Sequence, residues 1–330
     1  MPNLEKKRRT LLSQLGLGVT LSTLALTGCA VEAAPDDLSE LDAAIIVGNP
    51  NQEISNPTGR HRILQRGGGQ IDLNPNNNPF TRSMGTNGRA CVDCHQPAAA
   101  MGLNPVQVRQ VFDQTQGLDP VFRLNDGANG PLAQVATVDQ RRNAYSLLRN
   151  KGNIRIPMQL PANRDFDIKI ALDPYQGTGA NPPVNSTVPA GASPIISVYR
   201  RPLLSANTRF ISAVMWDGRE AAVGNGSEGQ VADNSGSGGF RNMMVQSNNA
   251  TRGHAEGARD LTNAERDQIV RFQMNLVVAQ IFDNQAGALD QNGGGGGPAP
   301  LLNQQTFFGI NDSHTPGTTF NPNAMTVFKG

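Results

Sequence analysis

The sequence predicts a mainly α fold threaded by long loops, on three observations. Hydrophobic residues make up 38% of the 330-residue chain, while Gly (36) and Pro (22) are frequent. That composition suits a modest helical core rather than a compact bundle. Three segments carry helix signals in both periodicity and caps. Nowhere does polar–apolar alternation make a convincing strand. The length allows one large domain or two small ones, with a real core. A net charge of +1 gives no strong field of either sign, and so no case for nucleic acid.

The elements are taken in chain order. Lys6-Lys7-Arg8-Arg9 precedes an uncharged, Leu-rich stretch from Thr10 to Val31. A basic segment followed by an apolar one is an export signal. The Ser, Thr, Gln and Gly inside it make a poor permanent membrane span. The stretch closes on Leu26-Thr27-Gly28-Cys29, which resembles the bacterial lipobox. Cys29 would then be lipidated and become the first mature residue. Its acyl chains would hold the protein to a membrane at about 0.8 kcal/mol per buried methylene. The alternative is ordinary cleavage, with Cys29 lost or left as a free thiol. On the first reading residues 1–28 are a lipoprotein signal peptide, and the mature protein is exported, periplasmic or outer-membrane-associated. Residues 29–60 are polar and read as a flexible tether.

The main domain is expected over 61–287. Gly67-Gly68-Gly69 and the Asn/Pro run 74–79 are loop chemistry. Asn104 caps a helix with Pro105 at its first position, running through Val106, Val108 and Phe112. A second helix covers about 138–150, with Tyr145, Leu147 and Leu148 as apolar contacts and Gly152 past its end. The clearest helix covers 263–284. Thr262-Asn263-Ala264-Glu265 is a capping box, and Val270, Met274, Val277, Val278 and Ile281 recur behind it at helical spacing. Gly293 to Gly297, followed by Pro298, reads as a hinge or exposed loop. Residues 288–330 read as a Gly-rich linker and the start of a truncated C-terminal region.

The three cysteines are Cys29, Cys91 and Cys94, an odd number that argues against a disulfide framework. Cys91-Val92-Asp93-Cys94-His95 is the attachment signature of c-type haem. The two thiols add to the haem vinyl groups, and the two intervening residues set their separation along one haem edge. His95 follows directly and supplies the proximal ligand to iron. A zinc site would want two more Cys or His at regular spacing, and a thioredoxin-like motif would want a βαβ context. Neither is seen. The expectation is one covalently bound haem c in a cytochrome c-like domain, mainly α with long loops.

Further motifs then carry a family resemblance. They are the stretch Phe80–Pro97 around the haem signature, Asp119-Pro120-Val121-Phe122-Arg123, Ser193-Pro194-Ile195 and Met215-Trp216-Asp217-Gly218-Arg219-Glu220. Together, over about 80–285, they resemble the N-terminal half of the bacterial dihaem cytochrome c peroxidases and MauG-like enzymes. The resemblance implies that Trp216 lies near the haem and helps electron passage; the alternative is a packed core aromatic. Arg219 would pair with a haem propionate, or else hold Asp217 or Glu220, and Arg200-Arg201 share that ambiguity. The family carries a second Cys-x-x-Cys-His, whereas no cysteine follows Cys94 here. Its first haem often has a distal His, for which His254 is a candidate; His61, His254 and His314 are each expected on polar loops.

Methionine is the usual sixth ligand of an electron-transfer haem. Met158, in the extended segment Ile154–Met158, ranks first, then Met215, then Met243 or Met244. Met101 lies too near His95 to reach the opposite face, and Met274 belongs to the helix core. An open sixth position would favour peroxide chemistry. Two functions follow. One is a non-catalytic electron carrier with a closed iron site, working with a redox partner protein at the outer face of a bacterial membrane. The other is a peroxidase or MauG-like oxidase completed by a second haem domain.

Overall fold

Capping chemistry starts helices at Asn104 and Thr262 and stops one at Gly152, as expected. The computed structural model describes residues 53–211, 214–220 and 238–303. The segment read as a signal peptide, Cys29, residues 30–52 of the expected tether, and residues 304–330 with His314 lie outside them. Helix α1 (Pro105–Thr115) begins at Asn104, whose side chain accepts the Val106 N–H at 2.9 Å. The second expected helix is two, α2 (Val138–Ala144) and α3 (Ser146–Lys151), broken at Tyr145. Gly152, at φ 64°, closes α3. Helix α4 (Gly238–His254) had no clear signal, being rich in Asn and Gly. Helix α5 (Asn263–Asn275) opens with the expected box, in which Thr262 and Glu265 cap each other. A short α6 (Ala299–Asn303) ends the described chain.

The expected mainly α class is wrong. Helix accounts for 28% and strand for 17% of the described residues. An antiparallel sheet of order β1-β2-β7-β8 joins β1 (Ile54–Asn56), β2 (Gly59–Gln65), β7 (Leu276–Asp283) and β8 (Gly287–Ala288). Two small antiparallel pairs sit elsewhere. One is β3 (Ile154–Gln159) with β6 (Ile195–Arg200), the other β4 (Ile168–Lys169) with β5 (Thr187–Val188).

The physical reason is clearest in β7. Its Val277, Val278 and Ile281 continue the helical spacing of α5, but β-branched residues favour a pleated surface when a partner strand exists. That partner is β2, with Ile63 opposite Val278 and Leu64 opposite Val277. The helix expected over 263–284 therefore ends at Asn275. The pairing also takes strand structure into 54–60, part of the stretch read as tether. The Gly293–Gly297 run is not a free hinge. Gly296 N–H bonds to Leu289 and Gly297 N–H to Gln280 at 2.9 and 3.0 Å, docking the run on β7. A Cβ on Gly296 would lie 2.4 Å from that of Leu289, so glycine permits this approach.

Three apolar clusters form the core. The first packs Val108, Phe112, Phe122, Leu148 and Ile154, with Cys94 at its edge. The second packs Ile63, Phe80, Met101, Ile269 and Leu276, with Cys91 at its edge. The third packs Phe240, Met243, Val270 and Met274, with Met215 at its edge. A cleft opens where the edges meet.

Candidate functional site

The Cys-x-x-Cys-His segment is shaped by its own backbone. Cys91–Asp93 is a 3-10 turn, with the N–H groups of Cys94 and His95 both bonded to the Cys91 carbonyl at 3.1 and 3.0 Å. The Asp93 carboxylate accepts the Ala90 N–H at 2.8 Å. Cys91 and Cys94 are free thiols, and both line the cleft with His95. The cleft holds about 1260 Å³ counted to its open mouth. Phe80, Ile154, Ile156, Leu203 and Leu204 give it mainly apolar walls.

His95 is oriented by the loop that follows it. Ala100 and Met101 both take left-handed φ values, 57° and 63°. Met101 is fully buried, and its carbonyl lies 3.3 Å from His95 Nδ1. A proton on Nδ1 bonded there leaves Nε2 as the donor atom, the usual orientation of a metal-bound imidazole. Each group is partly open to the cleft, yet burial dominates its titration. It pushes the Cys91 and Cys94 thiols up to about 12. It pushes His95 down to about 4, against the opposing pull of the Met101 and Leu203 carbonyls. Neutral imidazole is the form that binds iron.

These residues fit a covalently held haem. Two thiols and a preoriented imidazole share one apolar cleft. Arg82, Arg200 and Arg201 also line it, and guanidinium groups suit carboxylates. Arg82 is paired with Glu265, and Arg200 with Asp217 at 2.9 Å. Arg201 forms no ion pair among the described residues, which makes it the better propionate partner. Arg219, the residue singled out from sequence, pairs with Asp217 at 3.4 Å and does not line the cleft. Among the described residues no cluster of three His, Cys, Asp or Glu side chains could hold a metal ion by itself.

The ranking of sixth ligands changes. Met158 lies outside the cleft lining, with its sulfur 3.3 Å from Arg200 Nη2 and 3.8 Å from Arg219 Nη1. β3 is extended as expected, and its Ile154 and Ile156 line the cleft, but Met158, farther along the strand, does not. Met215 and Met243 do line it. Trp216 is 62% exposed at the cleft, donating its indole N–H to the Arg201 carbonyl at 2.8 Å. It is no core aromatic.

His254 is the residue that sequence reasoning undervalued. It ends α4, lines the same cleft, and acts electrostatically on His95. Its Nδ1 lies 2.6 Å from Asp126 Oδ2. Asp126 is buried and ion-paired with buried Arg89. Burial disfavours the Asp126 carboxylate, but Arg89 and His254 outweigh it and hold the carboxyl below its usual range. Arg89 also donates to the carbonyls of Pro120, Val121 and His254 at 3.0, 2.8 and 3.1 Å. No spacing rule links these residues, so only the fold brings them together. His61, by contrast, is buried in β2 against Asn56, away from the cleft.

Comparisons with protein-family models, with curated proteins and with solved structures found no match.

Proposed function

We propose that this chain is a c-type cytochrome that transfers electrons through one haem c attached at Cys91 and Cys94. The observation that carries the reading is the shared cleft of Cys91, Cys94 and His95, with His95 Nδ1 turned to the Met101 carbonyl. Haem supplies the one-electron chemistry when bound; the chain sets its ligand, polarity and access. Cys91 and Cys94 would hold its edge, His95 Nε2 would bind iron, and Arg201 would take a propionate. Phe80, Ile154 and Ile156 would help to exclude water from the cleft. Export, lipidation at Cys29 and a redox partner protein at a bacterial membrane complete the proposal.

A second reading, a peroxidase or MauG-like oxidase completed by a second haem domain, is favoured by one observation. His254 reaches the cleft with its Nδ1 held by Asp126, an arrangement that presents Nε2 for proton transfer. The resemblance to dihaem peroxidases belongs to this reading.

The test begins with the full chain produced alongside haem-attachment machinery. Haem that stays on the denatured polypeptide, and is lost from Cys91→Ala/Cys94→Ala, is the expected result. No covalent haem would overturn the cytochrome reading. Spectra with and without carbon monoxide then separate the two functions. A low-spin iron indifferent to carbon monoxide indicates the carrier, and a high-spin iron that binds it indicates the enzyme.

A further inference from the structure

A second hollow lies between the turn after α1 and the start of α2, lined by Leu118, Phe122, Leu124, Arg123, Arg141 and Tyr145. It measures about 710 Å³ counted to its mouth. Its polar groups are unusual. Arg123 donates through Nε to Asn87 and through Nη1 to the carbonyls of Asp119 and Phe122. Arg141 donates through Nε to Gln116 and through Nη1 to the carbonyls of Val135 and Ala136. In both, Nη2 has no partner among the described residues, and neither guanidinium forms an ion pair there. Both are anchored by carbonyls, which fix position; Asp119 and Asp93 act on Arg123 electrostatically without lining the hollow.

Tyr145 sits between them. Its residue is 3% exposed, its ring packs on Phe122 at 5.2 Å, and its hydroxyl has no hydrogen-bond partner among the described residues. Burial raises this phenol, while Arg123, Arg141 and Arg89 oppose the rise. A phenol hydroxyl and two guanidinium groups that form no ion pair among the described residues line one hollow, a combination that suits a carboxylate. The walls are apolar, with Leu118 and Leu124 half exposed. Glu256 also lines the hollow, and its charge opposes a dianion more strongly than a monoanion.

We propose that this hollow binds a small organic monocarboxylate bearing an apolar group. Its carboxylate lies between Arg123 and Arg141 and accepts from the Tyr145 hydroxyl; its apolar part covers Phe122, Leu118 and Leu124. The proposal is independent of the haem assignment.

Calorimetric titration of the purified full chain with benzoate tests it, with benzyl alcohol as the uncharged comparison. Benzoate binding is expected, with benzyl alcohol at least about tenfold weaker. Tyr145→Phe keeps the ring packing and should weaken benzoate by roughly threefold to tenfold, and Arg141→Gln by about tenfold or more. Arg201→Gln, which alters the other cleft, should leave benzoate affinity unchanged. Absence of benzoate binding would overturn the proposal. So would equal binding of benzyl alcohol, or an affinity that follows Arg201→Gln and ignores Tyr145→Phe. Should Arg141→Gln fail to fold, Tyr145→Phe still decides.

Discussion

Asp126→Asn is the perturbation that most directly probes how the cleft is held. The side chains of Arg89 and Asp126 are 3% and 5% exposed, so the pair is sealed from water. Asparagine keeps the shape of the carboxylate but leaves the guanidinium buried without a counter-charge. Breaking a buried pair in this way costs about 3–5 kcal/mol. Arg89 retains three backbone carbonyls, which softens the loss toward the lower end, about 3 kcal/mol. The assay is urea unfolding at neutral pH of wild type, Asp126→Asn, Arg89→Met and the double variant. The two single losses should exceed the double loss by at least about 2 kcal/mol, because the second change removes a charge the first had stranded. A loss under about 1 kcal/mol for Asp126→Asn, or simple additivity, would refute the reasoning. The pH dependence follows in sign. The folded carboxyl titrates below its unfolded value of about 3.9, so its contribution is complete above that value. It fades as pH falls through the lower folded value. The gap between wild type and Asp126→Asn should therefore be widest at neutral pH and narrow in acid.

Three more outcomes are expected. His254→Ala should change the carbon monoxide affinity or spin state of the haem-loaded chain, read optically, because His254 shares the cleft with His95. Met158→Leu should leave that spectrum unchanged, since its sulfur faces Arg200 and Arg219; a shift would return Met158 to the ligand set. Gly296→Val should lower stability by about 1–3 kcal/mol in thermal unfolding, because its side chain would meet both the backbone and Cβ of Leu289.

What the sequence showed depended on how local each feature was. Asn104 and Thr262 announce helix starts because a cap is satisfied within three residues. The Cys-x-x-Cys-His motif is legible for the same reason, and the structure orients His95 with a carbonyl six residues on. Strands failed because their signal is a partner. Val277 and Val278 match a helix face until β2, more than 200 residues earlier, pairs with them. Met158 was read correctly as extended but assigned to the cleft, since nothing local reveals that its sulfur meets Arg200 and Arg219. Asp126 precedes Gly127 in a loop, and His254 ends an Asn- and Gly-rich helix that composition does not announce.

The two walls of the cleft are nonetheless tied together by the residues just before the haem signature. A helix ends with carbonyls that no intrahelical N–H can satisfy. At the end of α4 those of Gly253 and His254 are met by side chains from far along the chain. Asn125 Nδ2 reaches both, at 2.9 and 3.2 Å, and Asn87 Nδ2 reaches the second at 2.8 Å. Arg89 adds an N–H to the His254 carbonyl and a positive charge at the negative end of the helix dipole. Asn87 and Arg89 precede Cys91 by four and two residues, so the turn that carries the thiols also fixes the helix end that carries His254. Asp126 closes the arrangement, bonding Arg89 with one oxygen and His254 with the other. His254 is thus held at both backbone and side chain by groups whose positions follow from the haem segment. A side chain restrained in this way cannot swing freely into and out of the cleft. Any role it has there must be exerted from a fixed position, as a preorganised group rather than a mobile one.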